Sequence, residues 1–157
     1  MTEPIFTGST QLKINATSEA IFSLITDVTR MGEWSPETYR CSWLKGASGP
    51  AVGAQFRGYN RHKWFWWFTS VRVTDLEPDR VFAFEAMPIP FLKAVQTRWR
   101  YDLEPVEGGT LVTESFQVRW TIPGFARVVF GTQERRRAEL EAGAGRTLER
   151  IKAVAEG

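Results

Sequence analysis

Apolar positions change their period twice along the chain. From Ser9 to Asn15 they alternate weakly, as in a strand buried on one face. After Ala16-Thr17-Ser18 the residues Ile21, Phe22, Leu24, Ile25 and Val28 recur at helical spacing. This predicts a first strand, an N-cap at Thr17 or Ser18, and a short helix. A second helical turn from Asp27 to Glu33 must stop before Ser35-Pro36, because the residue preceding proline is pushed out of the α region. From Glu37 to Val118 the pattern becomes strands separated by turn chemistry. Six are predicted, over Glu37 to Leu44, Ala54 to Asn60, Trp64 to Leu76, Arg80 to Ala86, Ala94 to Glu104 and Thr110 to Trp120. Ile122-Pro123-Gly124 ends the sheet, and Phe125 to Ala155 reads as one helix. Counted at about 100° per residue, its apolar stripe runs through Ala126, Val129, Phe130, Leu140, Ala144, Leu148, Ile151 and Ala155, and is interrupted by Gln133 and Arg137. Gly143 and Gly145 lie inside this helix and predict close packing against the sheet or a bend.

Strand parity sorts side chains onto two faces, and the more apolar face belongs to the core. In the strand from Ala94, outward Arg98, Arg100 and Asp102 leave Thr97, Trp99, Tyr101 and Leu103 inward. In the last strand Val112, Phe116, Val118 and Trp120 point in and carry Glu114 with them. An unpaired buried carboxylate costs several kcal/mol, so Glu114 must be neutralised, paired or wetted by a cavity. Three readings stay open: a cavity carboxyl approached by Arg137 or Gln133 from the helix, a structural ion pair, or a β-bulge that turns it to solvent. Asn60 shares parity with Phe56 and Gly58, and is either a second polar anchor or a turn-closing asparagine. Glu37 shares parity with Tyr39, Cys41 and Trp43 but starts its strand, where exposure is expected. Phe65, Trp67, Thr69, Val71 and Val73 form one wall, and Phe82, Phe84 and Ala86 continue it.

The aromatic load, seven Trp and eleven Phe, is heavy enough that these rings either fill a bulky core or line a site. An apolar wall with a few convergent polar groups is the usual form of a small-ligand pocket, of roughly 300 to 1,000 Å³. The chain is long enough to bury a core as one domain, residues 1–157, without metals or disulfides. Charge argues against nucleic acid as a partner, since 20 basic and 18 acidic residues are interspersed and leave a net charge of only +2. Cys41 is alone and His62 is the one histidine, so no disulfide and no soft-ligand metal set is expected. A reducing cytoplasm fits this usage. Cys41 reads as a small core residue, His62 as a solvated turn histidine, and no glycine-rich loop follows a strand in the way a phosphate-bearing cofactor would need.

The order of strand, two short helices, six strands and a long terminal helix resembles the START-like or Bet v 1-like superfamily, the polyketide cyclase/dehydrase and lipid-transport group. Local likenesses are Ala16-Thr17-Ser18-Glu19-Ala20-Ile21-Phe22, Gly32-Glu33-Trp34-Ser35-Pro36-Glu37, Gly53-Ala54-Gln55-Phe56-Arg57-Gly58-Tyr59-Asn60 and Gly109-Thr110-Leu111-Val112-Thr113-Glu114-Ser115. They are similar to the bacterial, especially actinobacterial, branch. The resemblance implies an α+β helix-grip fold, in which a curved seven-stranded antiparallel sheet wraps the long C-terminal helix. It further implies an apolar small-molecule ligand held between sheet and helix, here by Phe56, Asn60, Trp67, Thr69, Phe82, Phe84, Thr97, Trp99, Tyr101, Glu114, Phe116, Val129, Gln133 and Arg137.

One scaffold hosts several activities, so function has to be argued from the site. The residues favour a carrier or binder of a lipid, polyketide or aromatic metabolite. A cyclase- or dehydratase-like enzyme stays open, with Glu114 as acid or base and Tyr101 or Arg137 polarising a carbonyl, and so does a protein-interaction module such as a chaperone activator. Antiparallel alternation brings Trp64, Ile89, Phe91, Leu92 and Phe125 to one end of the sheet beside Arg61, Lys63, Lys93 and Arg127. That mixture predicts an entrance suited to transient docking on a membrane or partner protein, or alternatively an inward plug or a dimer contact. Monomer and homodimer are both compatible with the sequence.

Overall fold

A computed structural model of the chain describes residues 5–87, 97–119 and 127–157, without the side chains of 129 and 130. Strand β1 (Phe6–Ile14) is followed by helix α1 (Ser18–Thr26) and a 3-10 turn over Val28–Glu33. Thr17 caps α1 by accepting a hydrogen bond from the Ala20 amide at 3.1 Å, and the turn ends ahead of Ser35-Pro36 as the proline requires. Six further strands follow: β2 (Thr38–Trp43), β3 (Gln55–His62), β4 (Phe65–Glu77), β5 (Val81–Ala86), β6 (Thr97–Val106) and β7 (Gly109–Val118). Neighbours are antiparallel in the order β1-β7-β6-β5-β4-β3-β2, so the first and last strands pair and β2 forms an edge. The curved sheet and its long terminal helix make the helix-grip fold.

The terminal helical region departs from the expectation of one continuous helix. A single turn, α2 (Arg127–Phe130), is separated by Gly131-Thr132 from α3 (Gln133–Glu156). Gly131 has φ of +73°, a left-handed conformation that ends helices and costs other residues a Cβ clash, and Thr132 then caps α3 through the Arg135 amide at 3.2 Å. α3 buries Leu140, Ala144, Leu148 and Ile151 of the expected stripe. Its buried face is Arg136, Leu140, Gly143, Ala144, Thr147, Leu148 and Ile151, so the inward arginine is Arg136 and the expected Arg137 is displaced by one position. Gly143 packs on Pro36, whereas Gly145 faces open space and makes no close packing.

α3 lies along β1 and against α1. One core cluster joins Ile14, Ile21, Val28, Phe56, Phe82, Leu148 and Ile151 between α1, the sheet and the C-terminal half of α3. A smaller one joins Phe116, Val118 and Leu140, with Phe6 and Trp99 against it. Gly8 stands opposite Phe116 in the β1–β7 ladder, and a side chain there would run into the Phe116 ring.

Candidate functional site

The inner face of the sheet is closed at one end and accessible at the other. In β4, Val71 and Val73 are buried, but Phe65, Trp67 and Thr69 on the same face are only half-buried. In β6, Tyr101 and Leu103 are buried while Thr97 and Trp99 are half-buried. Because the strands are antiparallel, these accessible positions share one end with the β3–β4 hairpin and the start of α3. Aromatic rings line the approach: Phe65 stacks on Trp67 at 5.7 Å, and Trp99 lies 5.3 Å from Phe116. Deeper in, Phe56, Phe82 and Phe84 form a chain of contacts at 5.3 to 5.5 Å between ring centres.

Two polar groups are set into this apolar face. Glu114 is 4% exposed, points inward as the parity of β7 dictates, and accepts a hydrogen bond from the Tyr101 hydroxyl at 2.9 Å. The two residues are register partners in the β6–β7 ladder. The other carboxyl oxygen, Oε2, is buried and has no hydrogen-bond partner among the described residues. Burial disfavours the ionised form and pushes the Glu114 carboxyl up to about 8, even though the Tyr101 hydrogen bond pulls it the other way. Burial, and then the adjacent carboxyl, pushes the Tyr101 phenol well above its ordinary value as well. At neutral pH the pair is therefore a neutral acid beside a neutral phenol, with one carboxyl oxygen unsatisfied. The bulge and ion-pair readings of Glu114 fall away.

Asn60 is the second group. Its Oδ1 accepts from Thr38 Oγ1 at 2.6 Å and its Nδ2 donates to Thr69 Oγ1 at 3.0 Å. A β-bulge between Thr38 and Arg40 puts Thr38 on the inner face and throws Tyr39 out to 55% exposure, which reverses the parity expected for Tyr39.

Arg137 does not reach Glu114. It is half-exposed, donates from Nε to the Thr7 carbonyl at 3.0 Å, and lies 3.8 Å from Glu141. Arg136 instead points inward and holds Glu37 by two hydrogen bonds of 2.5 and 2.8 Å, so Glu37 is a half-buried partner rather than an exposed strand start. His62 joins them, with Nδ1 3.5 Å from Glu37 and Nε2 3.3 Å from Glu139; it is not the solvated turn histidine that its sequence neighbours suggest. This clamp ties β2, β3 and α3 together at the accessible end. Arg136 and Glu139 are neighbours one turn apart on α3, but Glu37 and His62 reach them only through tertiary contact, so no local signal identifies the clamp. Gln133 is half-buried in the first turn of α3. Cys41 is buried against Met31, and desolvation pushes its thiol up to about 12, which makes it an unreactive core residue.

Trp64 is 68% exposed at the β3–β4 turn. Ile89, Phe91, Leu92 and Phe125, the other expected entrance residues, lie outside the described residues, as does the side chain of Val129. On the opposite, outer side of the sheet a polar groove of about 590 Å³ runs past Thr7, Ser9, Asp75, Arg98, Arg100 and Gln117. Its arginines lie beside carboxylates: Arg98 is paired with Glu85, Arg100 with Asp102, and Arg137 lies 3.8 Å from Glu141. Among the described residues no helix is long and apolar enough to cross a membrane, and no group of three His, Cys, Asp or Glu side chains is arranged to hold a metal ion.

Residues 6–156 match the family described as polyketide cyclase/dehydrase and lipid transport. The chain belongs to that family. Among solved structures, a polyketide-cyclase-like protein from Corynebacterium glutamicum is 31% identical over 96% of this chain and 85% of its own, with a TM-score of 0.50. The Zhui aromatase/cyclase from Streptomyces sp. R1128 is 18% identical, with a TM-score of 0.69 over 96% of this chain and 93% of its own. The di-domain aromatase/cyclase BexL is 19% identical with a TM-score of 0.73; the match covers 97% of this chain and 50% of BexL. The last two likenesses show the fold. No curated protein matches the sequence.

Proposed function

We propose that the chain binds an apolar small molecule between the sheet and α3, entering at the end where Trp67, Thr69, Thr97 and Trp99 are accessible. The observation that carries this reading is Glu114. A buried, uncharged carboxyl with one unsatisfied oxygen, set among aromatic rings, suits a ligand that is apolar over most of its surface and offers one hydroxyl or carbonyl. A lipid, a polyketide or an aromatic metabolite has that form. The family match supports the same ligand class. An environment-sensitive naphthalene-sulfonate probe should bind the protein and be displaced by long-chain or polycyclic ligands, and native mass spectrometry of the purified protein should identify what it retains. A probe that is never displaced competitively, together with a protein of bare chain mass, would remove the reading.

The same pair favours a second reading, catalysis. A carboxyl that holds its proton at neutral pH can donate it to a carbonyl oxygen, and Tyr101 can support the developing charge, as aldol-type cyclisation or dehydration of a folded polyketide would require. Turnover of such a substrate that Glu114→Gln abolishes while binding persists would select the enzyme over the carrier.

A further inference from the structure

Among the described residues, the outer face of β2, β3 and the first half of β4 gathers the largest exposed aromatic side chains. Trp64, Trp66 and Phe68 are 68%, 66% and 62% exposed, because Phe65, Trp67 and Thr69 take the inward positions between them. Trp64 lies in the turn before β4, and Trp66 and Phe68 stand roughly 7 Å apart along the strand, at about 3.3 Å per residue. Arginines interleave with them across the ladder. Arg61 stands opposite Trp66, and Tyr59 stands opposite Phe68 and beside Arg40. The guanidinium of Arg57 sits 4.9 Å over the Phe68 ring, and that of Arg40 sits 5.2 Å over Tyr59.

The charge is as one-sided as the hydrophobicity. β2, β3 and residues 63–70 contain Arg40, Arg57, Arg61 and Lys63 but no aspartate or glutamate. With a net charge of +2 for the whole chain, these four cations leave the remainder at −2, so the basic character is concentrated on this face. The contrast with the adjoining part of the sheet is direct: there Glu85 is bound by Arg72 at 2.8 Å and by Arg98 at 2.9 Å.

We propose that this face docks the protein on an anionic phospholipid surface, with Trp64, Trp66 and Phe68 at headgroup level and Arg40, Arg57, Arg61 and Lys63 against the lipid phosphates. Tryptophan and tyrosine favour the membrane–water boundary, and cations gain from the negative surface potential there. Two other occupants fit less well. A second copy meeting the same face would oppose four cations to four cations. A nucleic-acid strand needs open ring faces and a continuous basic track, whereas here guanidinium groups already cap Phe68 and Tyr59 and the rest of the chain is net acidic.

Vesicle flotation tests this directly, using phosphatidylcholine alone and phosphatidylcholine mixed with phosphatidylglycerol. The protein should float with the mixed vesicles, much less with the neutral ones, and less as salt is raised. The double variant Trp66→Ser/Phe68→Ser should lose binding, and Arg40→Gln/Arg57→Gln should bind about twentyfold to thirtyfold more weakly, at about fivefold per arginine. All four side chains lie on the outer face, and an unchanged circular dichroism spectrum and melting temperature will show that each variant is folded. Failure of the wild type to float with mixed vesicles overturns the proposal, as does binding that survives Trp66→Ser/Phe68→Ser. A concentration-dependent dimer, or binding of a single-stranded oligonucleotide, seen in place of flotation and lost in that variant, would assign the face to another occupant and overturn it equally.

Discussion

Replacing Glu114 by glutamine keeps the side-chain volume and removes the proton equilibrium, so its consequence is a change in how stability depends on pH. Below about pH 4.5 the folded and unfolded chains both hold the Glu114 proton, and the group makes no pH-dependent contribution. As pH rises towards 8 the unfolded chain releases that proton while the folded chain keeps it, so the unfolded state gains and the protein loses stability; above about 8 the loss is complete. Each tenfold change in proton affinity is worth about 1.4 kcal/mol, so a carboxyl held at about 8 instead of 4.5 removes on the order of 5 kcal/mol across that window. Glu114→Gln abolishes this slope. Its own cost is a buried amide donor without a partner, about 1 to 3 kcal/mol and the same at every pH. The two proteins should therefore cross, with the wild type more stable near pH 5 and the variant more stable near pH 9. Tyr101→Phe removes the one hydrogen bond that favours the ionised carboxyl, and should push the end of the sloping region still higher. Urea denaturation at intervals between pH 4 and 9 reads both effects. Parallel curves for wild type and Glu114→Gln would refute the claim that this carboxyl is held neutral by burial.

Two further expectations concern the framework around the site. Arg136→Ala strands Glu37 partly buried and, discounted for its remaining exposure, should cost about 2 to 3 kcal/mol in urea denaturation. A double-mutant cycle with Glu37→Ala should return a coupling of about 1 kcal/mol or more; a coupling near zero would deny the pair its role. Gly131→Ala forces a left-handed backbone on a residue with a Cβ and should lower stability by about 1 to 2 kcal/mol, with Gly131→Asn milder; equal melting temperatures for Ala and Gly would count against the helix break.

Much of the fold was legible in the sequence because it is written in local terms. Turn chemistry and two-residue alternation place all seven strands, and parity alone puts Glu114 on the inner face of β7. Its partner Tyr101 was a candidate by the same parity in β6, but only the β6–β7 register sets the two side by side. Asn60 was legible as an inward polar residue, whereas its satisfaction by Thr38 depends on a bulge that no propensity announces. Arg136 replaces Arg137 for a definite reason: both lie one turn before Leu140 on the expected stripe of Leu140, Ala144, Leu148 and Ile151, and only the ion pair with Glu37 across the fold decides which of them faces inward. The clamp of Glu37, His62, Arg136 and Glu139 was invisible for a more general one. Its members lie up to 102 positions apart, and charged residues at such separations carry no period or turn signal; only the closing of the sheet around α3 brings them together. Strand and helix content, the inner face and the buried acid were thus determined by the sequence alone, through interactions that reach only a few residues along the chain. Which arginine faces inward, what His62 touches and which aromatics remain outside were decided by the tertiary structure, because each depends on the rotation or register of one element against another.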